Sequence, residues 1–337
     1  MMHNGVSKRW SSQLDVESRE FFRAEYPVIP IETSESEDAW VRAVVKYADY
    51  QDMKINAAEP WSVNDLKVPS FGLYDFAKFE LFMAVAAKKD WVYHSLHWLN
   101  CYLVGVGQLY YWHDRIPKAT AGKGLSMMWF AINASALGVI AMLGLRETLI
   151  KQAYMTVAAA KRGFMSQSYS HHQRRAQLFM LRLTMDWLGH AGLDWPAYAH
   201  DEPIYEELVA MWRTPDPQAL VPALLRACDR HTFQTGRETE RRRLDFHDGL
   251  CLDRVPVEIL LLFRLREWEG LSNPVLDHPL MEAPFDRLIE PQTLPPLENL
   301  HERVLRRARS DWDDYDQVLS IEVMRAHALG PTVATGA

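Results

Sequence analysis

Two long uncharged stretches constrain the fold of this chain more than any other feature of its sequence. Residues Trp91–Trp112 and Gly124–Leu145 each run for 22 residues without Lys, Arg, Asp or Glu. A helix that is apolar on every side is buried either in a large protein or in lipid, and this length also suits a membrane hairpin. Asn100 and Asn133 lie inside the stretches, and the second is rich in Ala, Met and Gly. These residues favour a buried central helix pair, with membrane association as the alternative.

Helical spacing of apolar residues recurs along the rest of the chain, whereas strand signals are scarce. Ser34 followed by Glu37 matches the pattern of a capping box, and apolar residues recur at helical intervals up to Ala48, which predicts a helix there. No Asn-Gly or Asp-Gly pair is flanked by the alternating apolar runs of a hairpin. Further helices are predicted over residues 11–25, 73–88, 91–112, 124–143, 146–162, 168–190, 202–212, 216–233, 255–269, 297–309 and 312–327. The sequence therefore predicts an all-α fold, an irregular bundle of roughly ten to twelve helices around the central apolar pair.

The predicted domain organisation follows from chain length and helix order. The length of 337 residues permits one large helical domain or two of ordinary size, because single cores stop growing at about 250 to 300 residues. We distinguish an N-terminal helical segment over 1–65, a central helical core over 66–290, and C-terminal helices with a tail over 291–337. These segments are expected to form one continuous domain.

Cysteine usage and the N-terminal sequence indicate a reducing compartment. Cys101, Cys228 and Cys251 are far apart and show no CxxC spacing, which indicates neither a disulfide framework nor a zinc site. The N-terminal sequence MMHNGVSKRWSSQLD contains no apolar region of the signal-peptide type, so the expected location is cytoplasmic.

The negative charge of the chain lies in its second half. The net charge is −7, and residues 166–337 hold 19 Lys and Arg against 27 Asp and Glu. An acidic surface repels nucleic acid and attracts basic partners, although the same excess also serves plain solubility. The basic clusters around Arg241–Arg243 and Arg306–Arg309 lie directly beside acidic residues, so we expect local ion pairs and no nucleic-acid partner.

Residues that could carry out chemistry are few. His94 and His97 lie three apart on one helical face, but no HExxH or repeated ExxH motif accompanies them, so a metal site is not expected. Asp245, His247 and Asp248 place two carboxylates beside an imidazole, which suits acid–base catalysis. With no Ser or Cys nucleophile motif nearby, a solvated loop before the predicted helix 255–269 explains this grouping better. We therefore expect a non-enzymatic protein without cofactor, and keep a helical metal-dependent enzyme as the alternative.

The most suggestive surface element packs four carboxylates around two aromatic side chains near the C-terminus. Large aromatic residues supply contact area at protein interfaces, while carboxylates steer a basic partner. The alternative is an ordinary helix start, where acidic residues favour the first turn and both aromatics pack inward. The candidate partner-binding residues are Asp311, Trp312, Asp313, Asp314, Tyr315 and Asp316, with Glu35, Glu37 and Asp38 as a second acidic group.

Two helical segments resemble parts of a known family. In Leu125–Gly138 a Trp precedes spaced small residues, and the helical pattern is closed by Arg146 and Glu147. Pro256–Gly270 ends in a glycine turn and is followed by the extended segment that contains His278–Leu280. Together these segments resemble the immunity protein 49 family, and the likeness spans roughly residues 70–290.

This resemblance implies a function that needs no active site. It implies an immunity protein, made in bacteria beside a toxin of a polymorphic or type VI secretion system. Such a protein binds its cognate toxin and protects the producing cell, and complexes of this kind are among the tightest known. The resemblance brings no catalytic residue to this sequence. A basic toxin, such as a nuclease, is the expected partner.

Overall fold

The computed structural model describes residues 48, 90–115, 130–165, 174–235, 245–246, 252, 255–297 and 299–330. Within these ranges the chain forms ten α-helices and three 3-10 turns, with no β-strand, which confirms the predicted all-α class. The predicted helices 11–25 and 73–88, and Glu35, Glu37 and Asp38, lie outside the described residues.

The described helices follow the predicted ones closely in position. The α-helices are α1 (Trp91–Arg115), α2 (Phe130–Met142), α3 (Arg146–Lys161), α4 (Arg175–Trp187), α5 (Pro203–Met211), α6 (Val221–Thr235), α7 (Val257–Trp268), α8 (Asn299–Asp311), α9 (Tyr315–Val318) and α10 (Ile321–Leu329). The 3-10 turns are Ala197–His200, Pro217–Leu220 and Pro279–Met281. Among the described helices, none combines the length and the apolar character that crossing a bilayer requires.

One predicted helix, over 312–327, is wrong as a single element. The structure breaks it into α9 and α10 at Ser320, whose side chain accepts a hydrogen bond of 3.3 Å from the backbone N–H of Val323. A serine in this position satisfies one of the free donors at the start of a helix. The pattern of apolar residues continues across the break, which is why periodicity alone predicts a single helix.

The chain divides into two compact units. The first unit contains the described residues between 131 and 153 and between 174 and 292. The second contains residues 90–115, residue 130, residues 154–165 and the described residues from 293 onward. Among the described residues the chain passes from one unit to the other after Phe130, within α3 after Ala153, and after Gln292.

Three helices, α2, α4 and α7, form the core of the first unit. Every residue of α2 is buried, as are Ala176–Met185 of α4 and Val257–Arg266 of α7. A methyl group at Gly138 of α2 would lie 2.6 Å from the Cβ of Val257 and 3.2 Å from the Sδ of Met180. Since only glycine fits at this distance, Gly138 allows α2 to approach both neighbours closely.

The same three helices end in the same local structure. Gly144, Gly189 and Gly270 follow them with φ values of +72°, +83° and +74°. The residue after each glycine donates its backbone N–H to the carbonyl five residues earlier. These bonds are Leu145 to Ile140 at 3.2 Å, His190 to Met185 at 2.8 Å and Leu271 to Arg266 at 2.8 Å. This pairing is the Schellman motif, in which glycine adopts the left-handed conformation at little cost.

Two buried arginines of α7 bind the carbonyl groups at the ends of other helices. Arg264 donates from Nε to the carbonyl of Ala141 at 3.0 Å and from Nη2 to that of Met142 at 3.2 Å, both in the last turn of α2. Arg266 donates to the carbonyls of Trp212 and Thr214, just after α5. The last carbonyls of a helix have no partner within it, so the two arginines satisfy groups that burial would otherwise leave unpaired.

In the second unit, α1 is buried along most of its length. Trp98, Tyr110 and Trp112 each expose at most 1 % of their surface, as predicted for the first uncharged stretch. The Sγ of Cys101 lies 2.8 Å from the Nε2 of His301 and joins α1 to α8. A methyl group at Gly107 would lie 3.2 Å from the side chain of Leu319.

His327 ties α10 to the rest of the second unit. Its Nδ1 lies 3.0 Å from the hydroxyl of Tyr110 and 3.2 Å from Nη1 of Arg162. Because a guanidinium can only donate, Nδ1 accepts from Arg162 and the neutral ring carries its proton on Nε2. Burial lowers the pKa of His327 from its ordinary value of 6.5, and the charge of Arg162 lowers it further, whereas Asp114 opposes the shift.

The two glycines Gly144 and Gly189 provide a matched pair for a stability prediction. Both have positive φ, so alanine at either should cost about 1 to 2 kcal/mol in backbone strain. A methyl group at Gly144 would also lie 2.7 Å from the Cα of Pro291, whereas nothing lies within 4 Å of one at Gly189. Gly144→Ala should therefore lower the free energy of unfolding by about 1 to 3 kcal/mol more than Gly189→Ala. Urea unfolding measures both, and equal losses would contradict the close approach of Pro291.

The lowered pKa of His327 predicts that acid weakens the protein. As pH falls below 6.5, the unfolded chain binds a proton that the folded ring resists, so the free energy of unfolding falls until pH passes the lower folded pKa. His327→Asn keeps an acceptor near the position of Nδ1 and removes the titration. Thermal melts between pH 7.5 and 5 should show a smaller loss for the variant. The same pH dependence in both proteins would contradict this role.

Candidate interaction site

The predicted carboxylate–aromatic segment, residues 311–316, lies in the second unit where α8 passes into α9. Asp311 is the last residue of α8, and the backbone N–H of Trp312 still donates to the carbonyl of Ala308 at 3.0 Å. Tyr315 then starts α9, with Asp314 at the capping position. The six predicted residues thus span the end of α8, the turn over residues 312–314 and the start of α9.

Both aromatic side chains of the segment pack on Tyr111 of α1. The ring of Tyr315 lies 5.2 Å from that of Tyr111 and the ring of Trp312 lies 5.6 Å from it, measured between centroids. Tyr315 exposes 2 % of its surface, and burial raises the pKa of its hydroxyl. Trp312 is only half-buried. The inward packing that we considered as the alternative therefore describes Tyr315, while Trp312 keeps part of its ring at the surface.

Three of the four carboxylates are paired with arginine. Asp311 lies 3.1 Å from Arg307 and Asp316 lies 2.8 Å from Arg309, while Asp314 is paired with Arg115 of α1.

Asp314 has a second partner, because Oδ1 accepts a hydrogen bond of 2.8 Å from the hydroxyl of Tyr111. Asp313 is exposed, and within the described ranges it forms no ion pair. The uncompensated negative charge of the segment therefore lies mainly at Asp313, next to the exposed part of Trp312.

Sequence reasoning did not find the residues of α1 that hold this segment. Tyr111 and Arg115 lie about 200 positions earlier in the chain than Asp314. A pairing over this separation leaves no local periodicity or spacing in a single sequence. The one available signal is that Arg115 is the first basic residue after the uncharged stretch.

The enzymatic candidate Asp245 is a structural residue of the first unit. Its carboxylate is fully buried and lies 2.5 Å from Nη1 of Arg230. Arg230 also donates to Glu202 at 2.6 Å and to the hydroxyl of Tyr205 at 3.1 Å. Burial would lower the pKa of Arg230, but the charges around it, first that of Asp245, raise it well above its ordinary value. His247 and Asp248, the other two candidates, lie outside the described residues.

The neighbour of Asp245 also contributes to the core. The ring of Phe246 stacks on His231 with centroids 3.7 Å apart, and His231 Nδ1 lies 2.8 Å from Glu258 Oε1. His231 and Glu258 are fully buried. Asp245 and Phe246 therefore fix their part of the chain to α6 by an ion pair and a ring stack.

The histidines His94 and His97 are half-buried on α1. The ring of His97 lies 6.0 Å from that of His301, at an angle of 81°. In the part of the chain that the structure describes, no three His, Cys, Asp or Glu residues are arranged to hold a metal ion.

Comparison with known proteins leaves the family of this chain open. No family model matches it, and neither a curated protein nor a solved structure matches it significantly. The resemblance to the immunity protein 49 family therefore stays a prediction from the residues quoted above.

The buried pair of Arg230 and Asp245 predicts a large stability loss on truncation. Asp245→Ala leaves Arg230 buried with one carboxylate fewer, and breaking a buried pair on one side costs about 3 to 5 kcal/mol. Asp286→Ala, at an exposed position of the same unit, is the matched control and should change stability by less than about 0.5 kcal/mol. Urea unfolding compares the two, and equal stabilities would show that Asp245 carries no such role.

Proposed function

We propose that this chain is an immunity protein, which binds a cognate antibacterial toxin in the cytoplasm of the producing cell and blocks its active site. The observation that carries the proposal is the partly exposed side chain of Trp312, held on Tyr111 and followed in the chain by the exposed Asp313. A partly exposed tryptophan on a fixed footing is the kind of residue that dominates the free energy of protein association.

The footing of Trp312 favours binding because the segment is already ordered. Asp314 is held by Tyr111 and Arg115, and Asp316 is held by Arg309. Ordering a mobile side chain at an interface costs about 0.5 to 1.5 kcal/mol. A segment fixed by its own ion pairs avoids most of that cost. Less of the free energy gained by burying Trp312 is then offset by the loss of side-chain entropy.

Charge favours a basic partner for this surface. Residues 166–337 carry the acidic excess of the chain, and Asp313 and Asp316 are both exposed. Complementary charges raise the rate of association and exclude partners of the same sign. A toxin that acts on nucleic acid needs a basic cleft for its substrate, so a nuclease fits this surface. Binding there would occlude or distort that cleft.

Co-production with neighbouring gene products tests this function directly. Each gene next to that of this chain is expressed in bacterial cells, alone and together with it. We expect one product to stop growth, and this chain to restore growth and to copurify with that product. If no neighbouring product is toxic and none copurifies, the immunity function is wrong.

Substitutions in the segment predict which surface the toxin covers. Trp312→Ala should weaken the complex by about 2 kcal/mol or more, the range of a central interface residue. Asp313→Asn should mainly slow association, and the effect should shrink at high salt. Trp195→Ala, at a half-buried tryptophan of the first unit, is the matched control. Association and dissociation rates at two salt concentrations measure these effects.

Asp313→Asn also controls for loss of structure, because its side chain is exposed and outside the ion pairs of the segment. Unchanged affinity in both Trp312→Ala and Asp313→Asn, with growth still protected, would place the toxin-binding surface elsewhere on the chain.

A further inference from the structure

A pair of stacked tryptophans lies in the first unit, at the ends of α4 and α7. The ring centroids of Trp187 and Trp268 are 5.1 Å apart with an angle of 30° between the planes. The guanidinium carbon of Arg146, the first residue of α3, lies 5.3 Å from the centroid of Trp187 and 5.8 Å from that of Trp268. Both tryptophans are half-buried, and Arg146 is exposed. We refer to Trp187 and Trp268 as the tryptophan pair.

The same helix ending places both rings. Each tryptophan is the last residue of its helix, two positions before the left-handed glycine of a Schellman motif. No atom lies within 4 Å of a methyl group built at Gly189 or at Gly270. The glycine turn that follows each ring therefore borders open space.

The surroundings of the tryptophan pair favour a positive charge. Glu147 and Glu269 are exposed next to Arg146 and Trp268 in the chain, and the exposed Glu267 is paired with the buried Arg264. The C-terminal ends of α4 and α7 add the negative ends of two helix dipoles, against the one positive end that α3 contributes at Arg146. Aromatic faces attract cations as well, tryptophan most strongly and arginine most often. An anionic partner, such as nucleic acid or an acidic membrane, would meet repulsion here.

We propose that the tryptophan pair is a docking site for an arginine side chain of a partner protein. The incoming guanidinium takes the place that Arg146 occupies over the two rings, and Arg146 moves into solvent. Arg146 itself demonstrates that the pair accepts a guanidinium in this position. The site lies in a different unit from Trp312, so it does not depend on the surface proposed above for toxin binding.

If the incoming arginine displaces Arg146, replacing Arg146 should strengthen the binding of that arginine, whereas most substitutions in a binding site weaken binding. The probe is blocked hexa-arginine, titrated into the whole protein at low salt and followed by calorimetry. Arg146→Gln should bind it about two- to fivefold more tightly than the native protein, since an exposed cation–π contact contributes an affinity change of this size. Trp268→Leu should bind it more weakly by about the same factor. Hexa-glutamate should not bind.

Matched variants separate this effect from general charge and from loss of structure. Arg287→Gln removes one positive charge from an exposed position of the same unit, so it reports the gain due to net charge alone. Trp195→Leu reports the loss of an unrelated half-buried tryptophan, and circular dichroism compares the folding of all variants. An equal gain in Arg146→Gln and Arg287→Gln, unchanged binding in Trp268→Leu, or no binding of hexa-arginine would overturn the proposal.

Discussion

The first unit depends on the guanidinium of Arg264 in α7, whose side chain is fully buried. It binds the carbonyls of Ala141 and Met142 at the end of α2 and, at 2.6 Å, the carbonyl of Ile289. Three elements therefore meet at one side chain. A buried helix end without partners for its carbonyls is costly, so α2 can be buried along its whole length only because α7 brings these donors. Arg266 performs the same task after α5, and the apolar core and the buried charges require each other.

Burial of charge explains why the unit needs so many pairings around α6. Arg230 brings a positive charge among Glu202, Tyr205 and Asp245, all from other parts of the chain. Such a network contributes little net stability compared with an apolar core of the same volume, but it tolerates no missing member. Asp245 is held in one position by this requirement, with its carboxylate fully buried against Arg230.

Local patterns predicted the helices, and long-range pairing decided the site. The interval of apolar residues placed α1 and α3 to within three residues, because helix formation depends on neighbours three and four positions away. The break at Ser320 was not predicted, because a capping side chain ends one helix and starts the next without altering that interval. Tyr111 and Arg115 could not be assigned to Asp314 from sequence, since nothing in either segment specifies the other. The six residues of the candidate site were predicted as a group, but the partial exposure of Trp312 follows only from its packing on α1.

The surface at Trp312 and the tryptophan pair share one arrangement, an aromatic ring beside ion-paired or cation-covered groups. This arrangement limits which partners can bind them. At each surface most of the charged groups are already engaged, by Arg115 and Arg309 around Trp312, where Asp313 is the exception, and by Arg146 over the tryptophan pair. Where an incoming cation exchanges with one that is present, the Coulomb energy changes little. Affinity must then come from the burial of aromatic surface. Discrimination between partners comes from the carboxylates, which repel an anionic partner or lose their own pairing when it binds. A partner with a positive charge but no matching apolar contact would therefore bind either surface weakly, however basic it is.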